Sequence, residues 1–288
     1  MRKLIFGLIL LTPMLMSCEE DEDKVIQTDL PVEAAQLFST SSNWNESLYF
    51  AMISWEEYQQ MDTLGLPNCP DILLDEYTKE VTLDFLSSTI CVQTGEYTRS
   101  GKLIIKYDTT AQSPTKKWTM EYEDYRFGST TIEGIRNFSS DDSLQISEEF
   151  IALTARTENE LSTTFSGEFL HTKYYAIDSL TTDSLTIDSL STSPKLISFS
   201  SVGGIKGINA AGREFEITIA NPLTHSILCY TQNEILPSTG IENWQVSRGE
   251  NSEVSYTTTY ETLPEDCKVA ANTILPDGRK LLLNPVTE

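Results

Sequence analysis

Two histidines, five cysteines, a glycine-rich "VGGIKG" and a threefold Asp-Ser-Leu are the parts of this 288-residue chain whose types and spacing would suit chemistry. A serine hydrolase of the α/β kind needs a Gly-x-Ser-x-Gly elbow, and the chain has none. His171 lies in "EFLHTKYY", an alternating, strand-like context, and His225 follows "NPLT", which reads as a turn; an isolated histidine in either setting is ordinarily structural. "VGGIKG", Val202 to Gly207, lacks the Lys-Ser or Lys-Thr ending of a phosphate loop, and no helical pattern follows, so it reads as a bend between strands. Asp178, Asp183 and Asp188 in "IDSLTTDSLTIDSLSTSP" offer hard oxygen ligands of the kind calcium takes, but the glycines that bend such loops are missing. Their period of five fits neither helix nor strand, and the segment reads as a flexible insertion over 176–194. No catalytic residue, metal ligand or cofactor is assigned.

Cys18 is different. In "LMSCEEDED" it separates an apolar run from five acids. Arg2 and Lys3 precede that run, which extends from Leu4 to Met16 and is too short to span a bilayer, where about 20 residues are needed. A basic start, a short apolar middle and a small residue before the cut describe a secretory signal over 1–17. Leu15-Met16-Ser17-Cys18 also resembles the bacterial lipobox, which implies a lipidated Cys18 as the first residue of the mature chain. Several acyl chains give lasting attachment, because each buried methylene contributes about 0.8 kcal/mol. The acids Glu19, Glu20, Asp21, Glu22 and Asp23 resemble the signal that sends Bacteroidota lipoproteins to the outer face of the outer membrane; they also suit a solvated tether, expected over 18–43.

Removing 1–17 leaves 271 residues, enough for one large all-β domain, and takes the formal charge from -23 to -25 through loss of Arg2 and Lys3. That field opposes nucleic acid and anionic head groups as partners. Cys69, Cys91, Cys229 and Cys267 remain, in a compartment that permits oxidation, and four cysteines allow three connectivities. The favoured pairs are Cys69 with Cys91 and Cys229 with Cys267, since each brackets a hairpin-sized stretch; such a loop is worth roughly 3 kcal/mol. Zinc is the alternative, but the short spacings of a zinc knuckle are absent.

The elements follow from periodicity. Leu48, Met52, Trp55 and Gln59 fall on one line, flanked by Ala51 and Tyr58, which predicts a helix from Trp44 or Asn45 to about Asp62 within an N-terminal helix-and-turn region, 44–68. From 69 to 288 the period is two: "EVTLDFLS", "KLIIKY", "WTMEYEDY", "REFEITIA" and "EVSYTTTY" alternate, and Asp277-Gly278 is a hairpin signal. The expected fold is mainly β, an extended antiparallel sheet of hairpins, either one twisted sheet or a sandwich, preceded by one short α-helix. Trp118, Tyr122, Tyr125, Tyr174, Tyr175 and Trp244 have flat faces suited to sugar rings or a protein partner, with Trp118, Tyr122, Tyr125 and Trp244 the candidate ligand contacts; all suit sheet packing equally.

"CPDILLDEYTKEVTLDF", "TRSGKLIIKY", "MEYEDYRFGSTTIEGIRNF", "IKGINAAGREFEITIANPL" and "DCKVAANTILPDGRK" together resemble a group of Bacteroidota cell-surface lipoproteins with an all-β body. The resemblance covers roughly Cys69 to Lys280; the "VQTGEY" turn and the Asp-Ser-Leu insertion depart from it. It bears on architecture rather than activity. Arg99, Gly101, Lys102, Glu133, Gly134 and Arg136 match its turn and strand motifs, and read best as backbone geometry and cross-strand charge pairs. The functional expectation is an outer-membrane lipoprotein, held by lipid and facing the exterior, with a non-catalytic binding or envelope-structural role and a glycan or protein partner. The alternative is a hydrolase acting on envelope or dietary polysaccharide.

Overall fold

The computed structural model describes residues 22–86, 91, 97–109, 115–142, 144–176, 195–249, 252–263 and 267–284. Cys18, Glu19, Glu20, Asp21 and residues 177–194 of the insertion lie outside the described residues. Among those described, no helix is long and apolar enough to cross a bilayer.

From Asp71 onward the alternating sequence forms strands: β1 (Asp71–Asp75), β2 (Glu80–Asp84), β3 (Arg99–Tyr107), β4 (Lys116–Phe127), β5 (Thr130–Glu133), β6 (Ile135–Ser140) and β7 (Gln145–Thr157). They continue as β8 (Ser162–Ala176), β9 (Lys195–Ile208), β10 (Glu214–Ser226), β11 (Thr239–Ser247), β12 (Glu253–Thr262), β13 (Val269–Ile274) and β14 (Lys280–Leu282). All 14 belong to one sheet, paired in chain order, with β5 and β6 sharing the space between β4 and β7. Every pairing is antiparallel, as short connections require. One continuous sheet is therefore the answer to the choice between sheet and sandwich.

Alternation puts one face of each strand inward. In β3, Arg99, Gly101, Leu103 and Ile105 share the buried phase. β4 buries Trp118, Met120 and Tyr122, then slips by one at Asp124 (φ 49°) and buries Tyr125 and Phe127. The slip is accommodated by Gly101: its φ is +80°, and a Cβ there would stand 2.2 Å from the Asp124 carbonyl oxygen. The cross-strand pairs Lys102 with Glu123 and Arg156 with Glu133, at 2.8 and 3.8 Å, lie on the outer face, where such pairs contribute little. "VGGIKG" is no bend but part of β9, where a Cβ on Gly207 would come within 2.3 Å of the Thr164 carbonyl oxygen on the neighbouring strand. His225 likewise lies in β10 and not in a turn.

The N-terminal region departs most from the sequence reading. Where a tether over 18–43 and one helix from about 44 to 62 are expected, the chain forms α1 (Glu22–Asn45), α2 (Leu48–Met52) and α3 (Trp55–Tyr58), then a short 3-10 turn. Ile53 is extended, and Ser54 starts α3 through a reciprocal capping box with Glu57, which divides the expected helix. α1 buries Leu30, Ala34, Leu37, Ser41 and Trp44, spaced four, three, four and three, as a helical stripe demands. Every residue from Thr40 to Ile53 is buried. The reason is topological: the sheet curls around α1 and the turn after it, which touch β12 through Glu33, β11 through Ser41, β7 through Trp44 and β3 through Glu46.

Both favoured disulfides are present. Cys69–Cys91 ties the turn before β1 to the connection leading into β3, and Cys229–Cys267 ties the short helix after β10, α4 (Ile227–Tyr230), to the connection before β13. Being bonded in pairs, these four cysteines do not ligate zinc.

Candidate functional site

A polar segment threaded through a sheet must find polar partners, or each buried group costs about 1–3 kcal/mol. The inward phase of the strands supplies them. The Arg136 guanidinium donates to Glu148 (2.6 Å), to the Trp44 carbonyl oxygen (3.0 Å) and to Ser47 Oγ (2.8 Å). The Trp44 indole N–H and His171 Nε2 donate to the same Glu148 carboxylate, at 3.2 and 2.9 Å. Burial pushes that carboxyl up, but Arg136 and His171 outweigh it and hold Glu148 below the usual carboxylate range. Arg99 donates to Glu46 (3.0 Å) and Asn233 (2.8 Å), and the Tyr125 hydroxyl donates to Glu46 (2.7 Å). Glu242 accepts from Ser41, Trp244 and Tyr260; burial nonetheless pushes its carboxyl up.

One part of this network has the order of a nucleophile, base and acid. Ser201 Oγ lies 2.8 Å from His171 Nδ1, and His171 Nε2 lies 2.9 Å from Glu148. Hydrolysis needs a hydroxyl that a substrate can reach. Ser201 and His171 are 0 % exposed, and His171 packs near the stacked pair Trp44 and Phe169, whose centroids are 3.9 Å apart. The relay fixes α1 against β7, β8 and β9; it lies beneath the surface and not in a cleft.

An open site forms where α2 stops. The last four carbonyls of a helix have no partner within it, and here side chains cap the last three of α2 and the one that follows. The Tyr58 hydroxyl donates to Phe50, the Trp118 indole to Ala51, the Lys173 ammonium to Met52 and the Tyr107 hydroxyl to Ile53, at 2.8, 3.1, 2.6 and 2.7 Å. Beyond this cap lies a cavity of about 510 Å³, floored by the chain from Ala51 to Glu57 and walled by the ends of β3, β4, β6, β7 and β8. Trp55, Tyr107, Trp118 and Tyr175 give it aromatic edges. Trp55 meets Tyr107 edge-on at 6.1 Å, and Tyr107 stacks with Trp118 at 6.4 Å. Lys79, Lys116, Lys117 and Lys173 face Glu56, Glu57, Asp108 and Asp142 around it, a balance of charge that the whole chain, with 20 bases against 43 acids, does not have. Burial draws the Lys173 amine below its ordinary range, Glu57 opposing and Lys116 adding to the effect. Burial also raises the Tyr107 and Tyr175 hydroxyls.

No protein-family model, curated protein or solved structure matches the chain. The site therefore stands on its geometry alone.

Of the four aromatic candidates, Tyr122, Tyr125 and Trp244 are buried in the interior, and their polar atoms serve Ser47, Glu46 and Glu242. They are corrected from ligand contacts to core: their strand phase points them inward, at the enclosed N-terminal segment and its polar partners. Trp118 lines the cavity but is only 9 % exposed, with its face against Phe138 at 5.6 Å. Sequence reading missed Trp55, Tyr107 and Lys173 as site residues because no local spacing joins them, and it named Tyr175, which does line the cavity, only among the aromatics with flat faces. It also missed the buried acids, although a signal was there: Glu148 stands between Ile146 and Phe150 in the apolar phase of β7, and Glu242 precedes Trp244 and Val246 in that of β11.

Proposed function

We propose that the protein is a lipid-anchored lipoprotein of the bacterial outer membrane, displayed on the cell surface, that binds a glycan without transforming it. The lipobox-like Leu15–Cys18 and the acids after it support the anchor and the display. The cavity beyond α2 carries the binding reading. Its volume of about 510 Å³ falls among small-ligand sites, which run from about 300 to 1,000 Å³. A protein partner calls instead for about 800 Å² of surface on each side. Aromatic edges beside amine, hydroxyl and carboxylate groups suit the alternating apolar faces and hydroxyls of a sugar. The resemblance to Bacteroidota cell-surface lipoproteins agrees with this address and adds nothing on the ligand.

The test is titration calorimetry of the Cys18→Ala protein against a panel of envelope and dietary oligosaccharides. Saturable binding is expected for at least one, weakened about tenfold, or 1.4 kcal/mol, in a Lys79→Ala/Lys116→Ala/Lys117→Ala variant. Lys116 and Lys117 are exposed and Lys79 partly so, which leaves the fold unaffected. Binding that ignores these changes places the ligand elsewhere, and shortened oligosaccharides after incubation replace binding with hydrolysis.

A further inference from the structure

The two ends of β8, β9 and β10 carry different things. At one end Tyr175 pairs with Leu196, and Lys173 and Tyr175 wall the cavity. At the other, Ile208 pairs with Glu214, and the hairpin between β9 and β10 carries Arg213. Arg213 donates to Glu33 of α1 at 3.0 Å; Arg248, on the hairpin between β11 and β12, donates to the same carboxylate at 2.5 Å, and so does the Tyr256 hydroxyl at 2.6 Å. The helix therefore enters the sheet beside these two hairpins, and the chain emerges at the cavity after α2. Along β9 the ends are twelve residues apart, about 40 Å at 3.3 Å per residue.

From Cys18 to Glu22, the first residue of α1, is four residues, which span at most about 14 Å when fully extended. The helix rises roughly 17 Å from there to Glu33. A lipid on Cys18 thus lies at most about 31 Å from Glu33 and on the side of these two hairpins, with no long tether between them.

We infer that the body stands on the membrane at its β9–β10 and β11–β12 hairpins and turns the cavity away from the bilayer, α1 acting as the strut between anchor and binding site. This rests on lipidation of Cys18 as proposed above. The covalent link sets the orientation and charge does not, because the net negative chain is repelled by anionic head groups. A cavity held outward at this height faces ligands arriving from the medium.

The experiment uses the lipidated protein in phosphatidylcholine vesicles that contain a fluorescent acceptor lipid. A donor dye goes on a single introduced cysteine, either Ala211→Cys on the β9–β10 hairpin or Lys116→Cys at the cavity rim; both positions are exposed. With Cys69, Cys91, Cys229 and Cys267 in disulfides and Cys18 lipidated, the introduced thiol is the one that labels. Energy transfer to the bilayer should be strong from position 211 and at least severalfold weaker from 116. Equal or reversed transfer, with mass spectrometry showing lipid on Cys18, overturns the orientation and leaves the anchor standing. An N-terminal peptide without lipid, or vesicle binding that persists in Cys18→Ala, overturns both.

Discussion

Glu148, Arg136, Glu46 and Arg99 are charges with 0 % side-chain exposure, and they persist because each ion has several hydrogen-bonding partners. Removing one member of such a pair strands the other at a cost of about 3–5 kcal/mol. His225 is the opposite case: its Nε2 has no partner among the described residues, Nδ1 lies 3.5 Å from the Tyr230 hydroxyl, and the ring stacks on Phe199 at 4.7 Å. Burial, with His171 adding to it, pulls its pKa from 6.5 down to about 3. Between these values the unfolded chain binds a proton that the folded one refuses, so stability falls as pH drops through that window. At pH 5 the loss is about 2 kcal/mol. We expect His225→Phe to flatten the fall in Tm between pH 7 and pH 5, as read by calorimetry; parallel curves for parent and variant would refute the assignment. Glu242, with its raised carboxyl, works in the other direction in both proteins, and so cancels in the comparison.

At the scale of elements, the two disulfides close stretches of 22 and 38 residues. In the chain-entropy model each contributes about 3–4 kcal/mol. Replacing either pair with alanines should lower the urea midpoint by a corresponding amount, and an unchanged midpoint would mean that the loops are ordered without the bond. These pairs, the strands and the Asp277-Gly278 turn were legible because each leaves a local mark: a bracketed spacing, a period of two, a turn dipeptide. α1 was not read as a helix, although its Leu30, Ala34, Leu37, Ser41, Trp44 stripe was in plain view. Serine and alanine occupy positions where a surface helix would carry leucine, and Pro31 sits within the helix. Small and polar residues suit a helix whose inner face, and from Thr40 its whole circumference, meets a sheet that brings its own carboxylates and guanidinium groups. That enclosure is a property of the whole sheet, so no window of α1 alone could reveal it. The cavity is illegible for the same reason, as its walls come from five strand ends and a broken helix.

For the molecule as a whole, helix and sheet share one core. If residues 18–43 were a tether, their deletion would be silent. Since Leu30, Ala34, Leu37, Ser41 and Glu33 are buried there, a chain lacking residues 1–43 should lose the cooperative thermal transition and expose tryptophan, as followed by circular dichroism and fluorescence. Retention of a native-like transition would show that the sheet stands without its strut. The same arrangement dictates a sequence in time. Ser41 bonds to Glu242 across 201 residues, and Glu33 to Tyr256 across 223. The helix is the first part of the body to be synthesised, while β11 and β12, which must close over it, come almost last. Contacts so distant along the chain form slowly, because loop closure is unfavourable until they are all in place. During synthesis the helix must therefore wait, its serines, glutamates and tryptophan still in water, until nearly the whole chain has been made to close over it.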